Sequence, residues 1–152
     1  MTHCGRSALA SDVVVPDCSL FGHGWLPSQY TVTAEHAVAE LAQRRLRRVS
    51  SLTLYLEFPS LLRKLVNRRQ MASADARDLH ERLLGLTIDI VPIDDALLRR
   101  AWDIATDLGQ SDTFDALGYA TAEAYDAEFW TCDRRFANAA AGRDYPRLRF
   151  IP

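Results

Sequence analysis

Lysine is almost missing from this 152-residue chain: Lys64 is the only one, so nearly all the positive charge is arginine. Cysteine is scarce. Cys4, Cys18 and Cys132 make an odd count with no CxxC pair, which leaves a disulfide scaffold or a zinc ribbon without support. No apolar run approaches the roughly 18 residues that span a bilayer, so no membrane association is expected. The opening stretch lacks the apolar segment of a secretory signal. Residues 1–11 therefore read as a disordered extension, residues 12–152 as one domain, and the protein as cytoplasmic. Phosphate-cradling loops of the GxGxxG or GxxxxGK[ST] type are absent. His3, His23, His36 and His80 lack metal-ligand spacing, and no Ser-His-Asp arrangement can be read.

What is present fits one globular domain, with 48% apolar and 25% charged residues. Val13-Val14-Val15 reads as a buried strand ending at Asp17. Apolar positions from Ala34 through Val38, Leu41, Leu46 and Val49 approximate a helical period. Leu52 to Val66 is helix-like, although Pro59 must sit in its first turn or kink it. Ser73 is a candidate N-cap for a helix through Leu84. Ile88 to Ile93 reads as a strand, and a helix capped by Asp94 or Asp95 runs to Leu108. Asp112 or Thr113 caps the next, Phe114 to Tyr125. Glu128 to Cys132 is strand-like, Asp133 to Ala140 helical, and Leu148 to Ile151 a last short strand. This alternation predicts an α/β domain with a mostly parallel sheet of four to five short strands between helical layers. Ligands in such sheets bind beyond the carboxyl ends of the strands, where Asp17 and Asp133 stand.

Four acids sit where solvation explains them poorly. Asp17 follows Val-Val-Val-Pro, Glu57 interrupts Leu54-Tyr55-Leu56 and Phe58, Asp115 lies within Phe114-Asp115-Ala116-Leu117, and Asp133 follows Phe129-Trp130-Thr131-Cys132. Each has a structural alternative: Asp17 as a turn or cap residue, Asp133 as an N-cap, Asp115 as a first-turn acid, Glu57 as a surface position. Together they point to a cation, because Mg²⁺ and Mn²⁺ prefer carboxylate oxygens. Cys18 and Cys132 adjoin two of these acids, so their thiols come close if the acids converge, and a redox role is a hypothesis. Trp25, Trp102 and Trp130 read as core or dimer-interface residues. The arginine clusters, Arg44 to Arg48, Arg63 with Arg68-Arg69, and Arg134-Arg135, suit either solvated faces or phosphate contacts.

These segments, in this order, resemble the PIN-domain ribonucleases, specifically VapC-type toxins of bacterial toxin–antitoxin pairs. The resemblance rests on Val13 to Ser19, Leu54 to Phe58, Phe114 to Ala122, and Phe129 to Phe136, and covers about residues 12–152. It implies a PIN-like three-layer α/β/α fold and an endoribonuclease that cuts RNA phosphodiesters at an Mg²⁺ or Mn²⁺ site. The catalytic acids carry over as Asp17, Glu57, Asp115 and Asp133, with Asp17, Asp115 and Asp133 holding metal. Ser19 and Thr131 match hydroxyl positions that hydrogen-bond the carboxylates, and Arg134 and Arg135 are candidate phosphate contacts. A VapB-type antitoxin and a homodimer are the partners it implies besides RNA. The alternative is a catalytically silent PIN-like domain that only binds RNA or protein. An aspartyl-phosphate enzyme fits less well, since Asp17-Cys18-Ser19 lacks the second acid of an Asp-x-Asp motif. Ser60 and Pro59 near Glu57, Asp112, and Gly118 depart from the family's pattern.

Overall fold

The computed structural model describes residues 11–26 and 32–152. The expected N-terminal extension lies outside the described residues except for Ser11, whose hydroxyl donates to the Asp126 carbonyl at 2.7 Å. The elements are β1 (Val13–Pro16), α1 (Cys18–Trp25), α2 (Val32–Gln43), β2 (Arg47–Ser51), α3 (Leu54–Asn67), α4 (Ser73–Leu84), β3 (Asp89–Val91), α5 (Asp95–Asp107), α6 (Phe114–Ala124), β4 (Glu128–Thr131), α7 (Arg134–Ala140) and β5 (Leu148–Phe150). Five strands form one sheet in the order β3-β2-β1-β4-β5, and every pairing is parallel.

Strand alternation divides the core into two layers. Val14 and Trp130 face a cluster with Phe21, Leu41, Phe58 and Leu83 from α1 to α4. Val15 and Phe129 face the other side, with Ile104, Leu117, Tyr119 and Phe136 from α5 to α7. The sheet is thus covered on both faces, which explains why the central strands β1 and β4 read as nearly continuous apolar runs. The strand order reverses between β1 and β4, so the crevice of an open α/β sheet opens at their carboxyl ends.

Two elements differ from the sequence reading. Leu46 and Val49 belong to β2 and its approach, not to a helix continued from Ala34. Their spacing of three mimics a helical period, while the strand itself is polar: Arg47, Arg48, then Ser50 and Ser51, buried to 4% and 3% exposure. Helix α1 was not foreseen, because Gly22 and Gly24 mask it. Gly24 is there for close packing, since a Cβ would stand 2.6 Å from Val38 Cγ2. Smaller corrections concern helix starts. Ala72, not Ser73, occupies the N-cap of α4. Thr113 takes that position in α6 without a side-chain bond, and Asp112 Oδ1 accepts from the Phe114 amide at 3.2 Å instead. Pro59 lies past the first turn of α3, inside a helix that runs on to Asn67. Asp94 caps α5 as expected, accepting from the Leu97 amide at 2.8 Å.

Much of the arginine is spent on ion pairs. Arg44 and Arg149 reach Glu40, and Arg47 meets Asp89 at 2.8 Å. Trp130 is core, Trp25 packs on Phe21 and Phe58, and Trp102 is 68% exposed on α5.

Candidate metal centre

Asp17 stands where β1 ends and α1 begins. Its amide donates to the Trp130 carbonyl at 2.9 Å, which ties it to β4. As N-cap it accepts from the Ser19 amide at 3.3 Å. The Ser19 hydroxyl and, at 2.9 Å, the Thr131 hydroxyl donate to the same oxygen, Oδ2. Those hydroxyls are held in turn, because the Cys132 amide donates to Ser19 Oγ at 2.9 Å and the Asp133 amide to Thr131 Oγ1 at 3.0 Å. Each hydroxyl has one proton and spends it on Asp17, while its lone pair takes a backbone N–H. None of these three bonds touches Oδ1.

Asp133 ends β4 in the same manner and caps α7, its Oδ1 accepting from the Arg135 and Phe136 amides at 2.7 and 3.0 Å. Both strand-end acids therefore fill the cap roles that were their structural alternatives. Glu57 and Asp115 lie in the first turns of α3 and α6. Glu57 borders the same crevice as Asp17, with Ser51, Thr53, Phe114 and Gly118. Gly118 permits the close approach of α6 to β4: a Cβ there would sit 2.5 Å from the Phe129 ring.

The electrostatics link all four. Burial raises the Asp17 carboxyl above its ordinary range, partly offset by its hydrogen bonds, so crowding by protein outweighs its partial exposure. Burial first, then the Asp17 charge, pushes Glu57 to about 7, with the Thr53 hydroxyl opposing and Asp112 adding to it. Burial, then Asp17, Asp133, Glu57 and Asp112, pushes Asp115 to about 8. No lysine or arginine is among these influences. Asp17, Glu57 and Asp115 thus feel one another's charge, and their donors are all hard oxygens, which is the chemistry that suits Mg²⁺ or Mn²⁺. Among the described residues, however, no three acidic, imidazole or thiol groups are disposed to hold a metal ion as they stand.

The remaining predicted residues are placed as follows. Ser19 and Thr131 both contact Asp17. Arg134 and Arg135 are exposed; the Arg134 guanidinium lies over the Phe150 ring, 5.8 Å from its centre. Burial and then the Asp17 charge push the Cys132 thiol to about 12, and the same forces raise Cys18 further. Both stay protonated at neutral pH, which works against thiolate reactivity. Sequence reasoning gave no site role to Thr53, Asp112 or Phe114. Asp112, three residues before Asp115 at a helix start, was the findable one. Phe114 reads as core in any apolar pattern, yet it is 51% exposed. A roomier cleft of about 450 Å³ between α5 and α6 lies apart from the four acids; of its charges, Arg100 and Glu123 are paired with each other and Asp94 caps α5.

Comparison with known proteins agrees with this architecture. Residues 24–142 match the sequence profile of the PIN domain. The crystal structure of PAE2754 from Pyrobaculum aerophilum superposes with a TM-score of 0.57 at 21% identity, covering 91% of this chain and 86% of that one. At that identity the likeness speaks for the fold alone. No curated protein matches the chain significantly.

Proposed function

This chain belongs to the PIN-domain family, generally a nuclease fold, and from that premise we propose that it is a metal-dependent endoribonuclease, the toxin of a VapBC-type pair. The observation that carries the reading is that Asp17 and Glu57 line one crevice while the charges of Asp17, Asp133 and Glu57 all raise the Asp115 carboxyl, with no basic side chain among the influences on Asp17, Glu57 or Asp115. Asp17, Asp115 and Asp133 would hold Mg²⁺ or Mn²⁺. A bound divalent cation polarises a phosphoryl oxygen and lowers the pKa of the attacking water. Asp17 borders the crevice, and Ser19 and Thr131 anchor its Oδ2, so its carboxylate is oriented before any ligand arrives. Glu57, opposite, orients the water. The helix-borne carboxylates must turn inward to complete the site. Arg134 and Arg135 are proposed phosphate contacts once Arg134 leaves Phe150.

Partners follow from the same features. An uncompensated acidic crevice suits basic residues of an antitoxin, which would block it. Leu98 and Trp102 on α5, and Ile90 and Ile93 at and just past the edge strand, are exposed large apolar residues that a homodimer would cover. Among the described residues no helix is long and apolar enough to cross a membrane, and the cytoplasm is the proposed location. A silent PIN-like binding module is the second reading, favoured by the absence of a ready ligand set among the described residues.

The test is incubation with bacterial total RNA and Mn²⁺, Mg²⁺ or EDTA, beside Asp17→Asn. Discrete metal-dependent cuts that vanish in the variant are expected. Tight metal binding without cleavage would favour the silent module, and no metal binding would sink the acidic site.

A further inference from the structure

Phe114 lines the same crevice as Asp17 and Glu57, immediately precedes Asp115, and leaves 51% of its surface in solvent. The inward stripe of α6 is Ala116, Leu117, Tyr119 and Ala120, so the core does not account for a large ring at this position. Its backbone is fixed by the bond from its amide to Asp112 Oδ1 at 3.2 Å. The aromatic ring is thus presented at the mouth of the acidic crevice from a rigid helix start. Leu52 and Leu56 are also exposed, at 53% and 61%, but aliphatic side chains offer no π-face. Trp102, the other widely exposed aromatic among the described residues, lies on α5 and does not line the crevice.

We propose that Phe114 is a nucleobase platform, stacking on the base of a nucleotide that adjoins the phosphate at the carboxylates. This rests on the nuclease reading above and names a specificity-determining residue for it. Acids repel a polyanion, so part of the affinity at this end has to come from contacts independent of charge, and base–aromatic stacking is such a contact. In a duplex the bases are already stacked on each other and paired. Only an unpaired base can swing onto the ring.

The experiment uses the full chain and a short single-stranded RNA carrying a cut site mapped in total RNA. Steady-state cleavage is compared for the parent, Phe114→Leu and Phe114→Trp, on that RNA and on versions with an abasic nucleotide at each position flanking the cut. Phe114→Leu should raise KM roughly tenfold, within the range that removing a stacking side chain produces, with kcat nearly unchanged. Phe114→Trp should restore the parent KM. One abasic position should raise the parent's KM by a similar factor and leave that of Phe114→Leu unchanged, because the two changes remove the same contact. Equal KM for the leucine variant and the parent, or additive effects of the leucine and abasic changes, would overturn the platform while leaving the nuclease standing. A parent that cuts no RNA would overturn both.

Discussion

The four acids form two pairs that are held by different means. Asp17 and Asp133 end parallel strands, and each caps the helix that follows. Their oxygens accept backbone and hydroxyl protons, and these bonds fix them whether or not a cation is present. Glu57 and Asp115 ride on first turns of α3 and α6, and their positions depend on where those helices pack. Burial and mutual repulsion raise their carboxyls to about 7 and about 8. The strand pair therefore has capping roles in the fold, although burial still raises the Asp17 carboxyl, whereas Glu57 and Asp115 cost stability when ionised.

That contrast breaks most visibly at Asp115. Asp115→Asn should lower metal-dependent cleavage by more than about 100-fold, beyond what losing an outer hydrogen-bonding partner of a metal site does. It should also raise the melting temperature of the metal-free protein, by relieving repulsion. In the parent, Mn²⁺ at 100 times its Kd should stabilise by about 2.7 kcal/mol, a rise of roughly 5–10 °C for a chain of this size, and the variant should show much less. Thermal denaturation with Mn²⁺ and with EDTA checks both. A variant less stable than the parent in EDTA would show that Asp115 is structural after all.

Gly118→Ala sharpens the dependence of the helix pair on packing. The added methyl meets the Phe129 ring, so a loss of about 1–3 kcal/mol in urea denaturation is expected. Cleavage by the fraction still folded should fall too, since α6 carries Asp115. Unchanged stability would mean that α6 shifts without consequence.

At the other pole, Asp133→Ala should cost about 1 kcal/mol through its lost cap. Asp133→Ser should recover most of that stability and none of the cleavage. Recovery of cleavage by serine would assign Asp133 to the fold alone.

The smallest effect is on pH dependence without metal. Glu57 and Asp115 bind protons more tightly folded than unfolded, so the native state holds more protons between about pH 4 and pH 8, and stability falls as pH rises through that window. The advantage of Asp115→Asn over the parent should accordingly be absent near pH 4 and complete above about pH 8. Melting series in EDTA would reveal it, and an advantage independent of pH would remove the electrostatic account.

Much of this was legible along the chain because it is local. The apolar runs at Val13–Val15 and Phe129–Trp130, the caps at Asp94 and Asp133, and four acids in apolar settings need only nearest neighbours to be recognised. The polar strand β2 and glycine-bearing α1 were not legible, because what makes them a strand and a helix is burial against distant partners, as with Val49 between sheet neighbours and Gly24 against Val38. Sequence by itself singled out four acids as candidates for a cation site and determined that alternating elements would form a parallel sheet. Tertiary structure alone decided that β1 and β4 lie side by side, that Ser19 and Thr131 share one oxygen of Asp17, and that Phe114 is left in water beside the acids. The reason is physical: propensity and capping act over a few residues, whereas hydrogen bonds between side chains more than 100 positions apart, and the repulsion between Asp17 and Asp115, exist only after the sheet has brought them together.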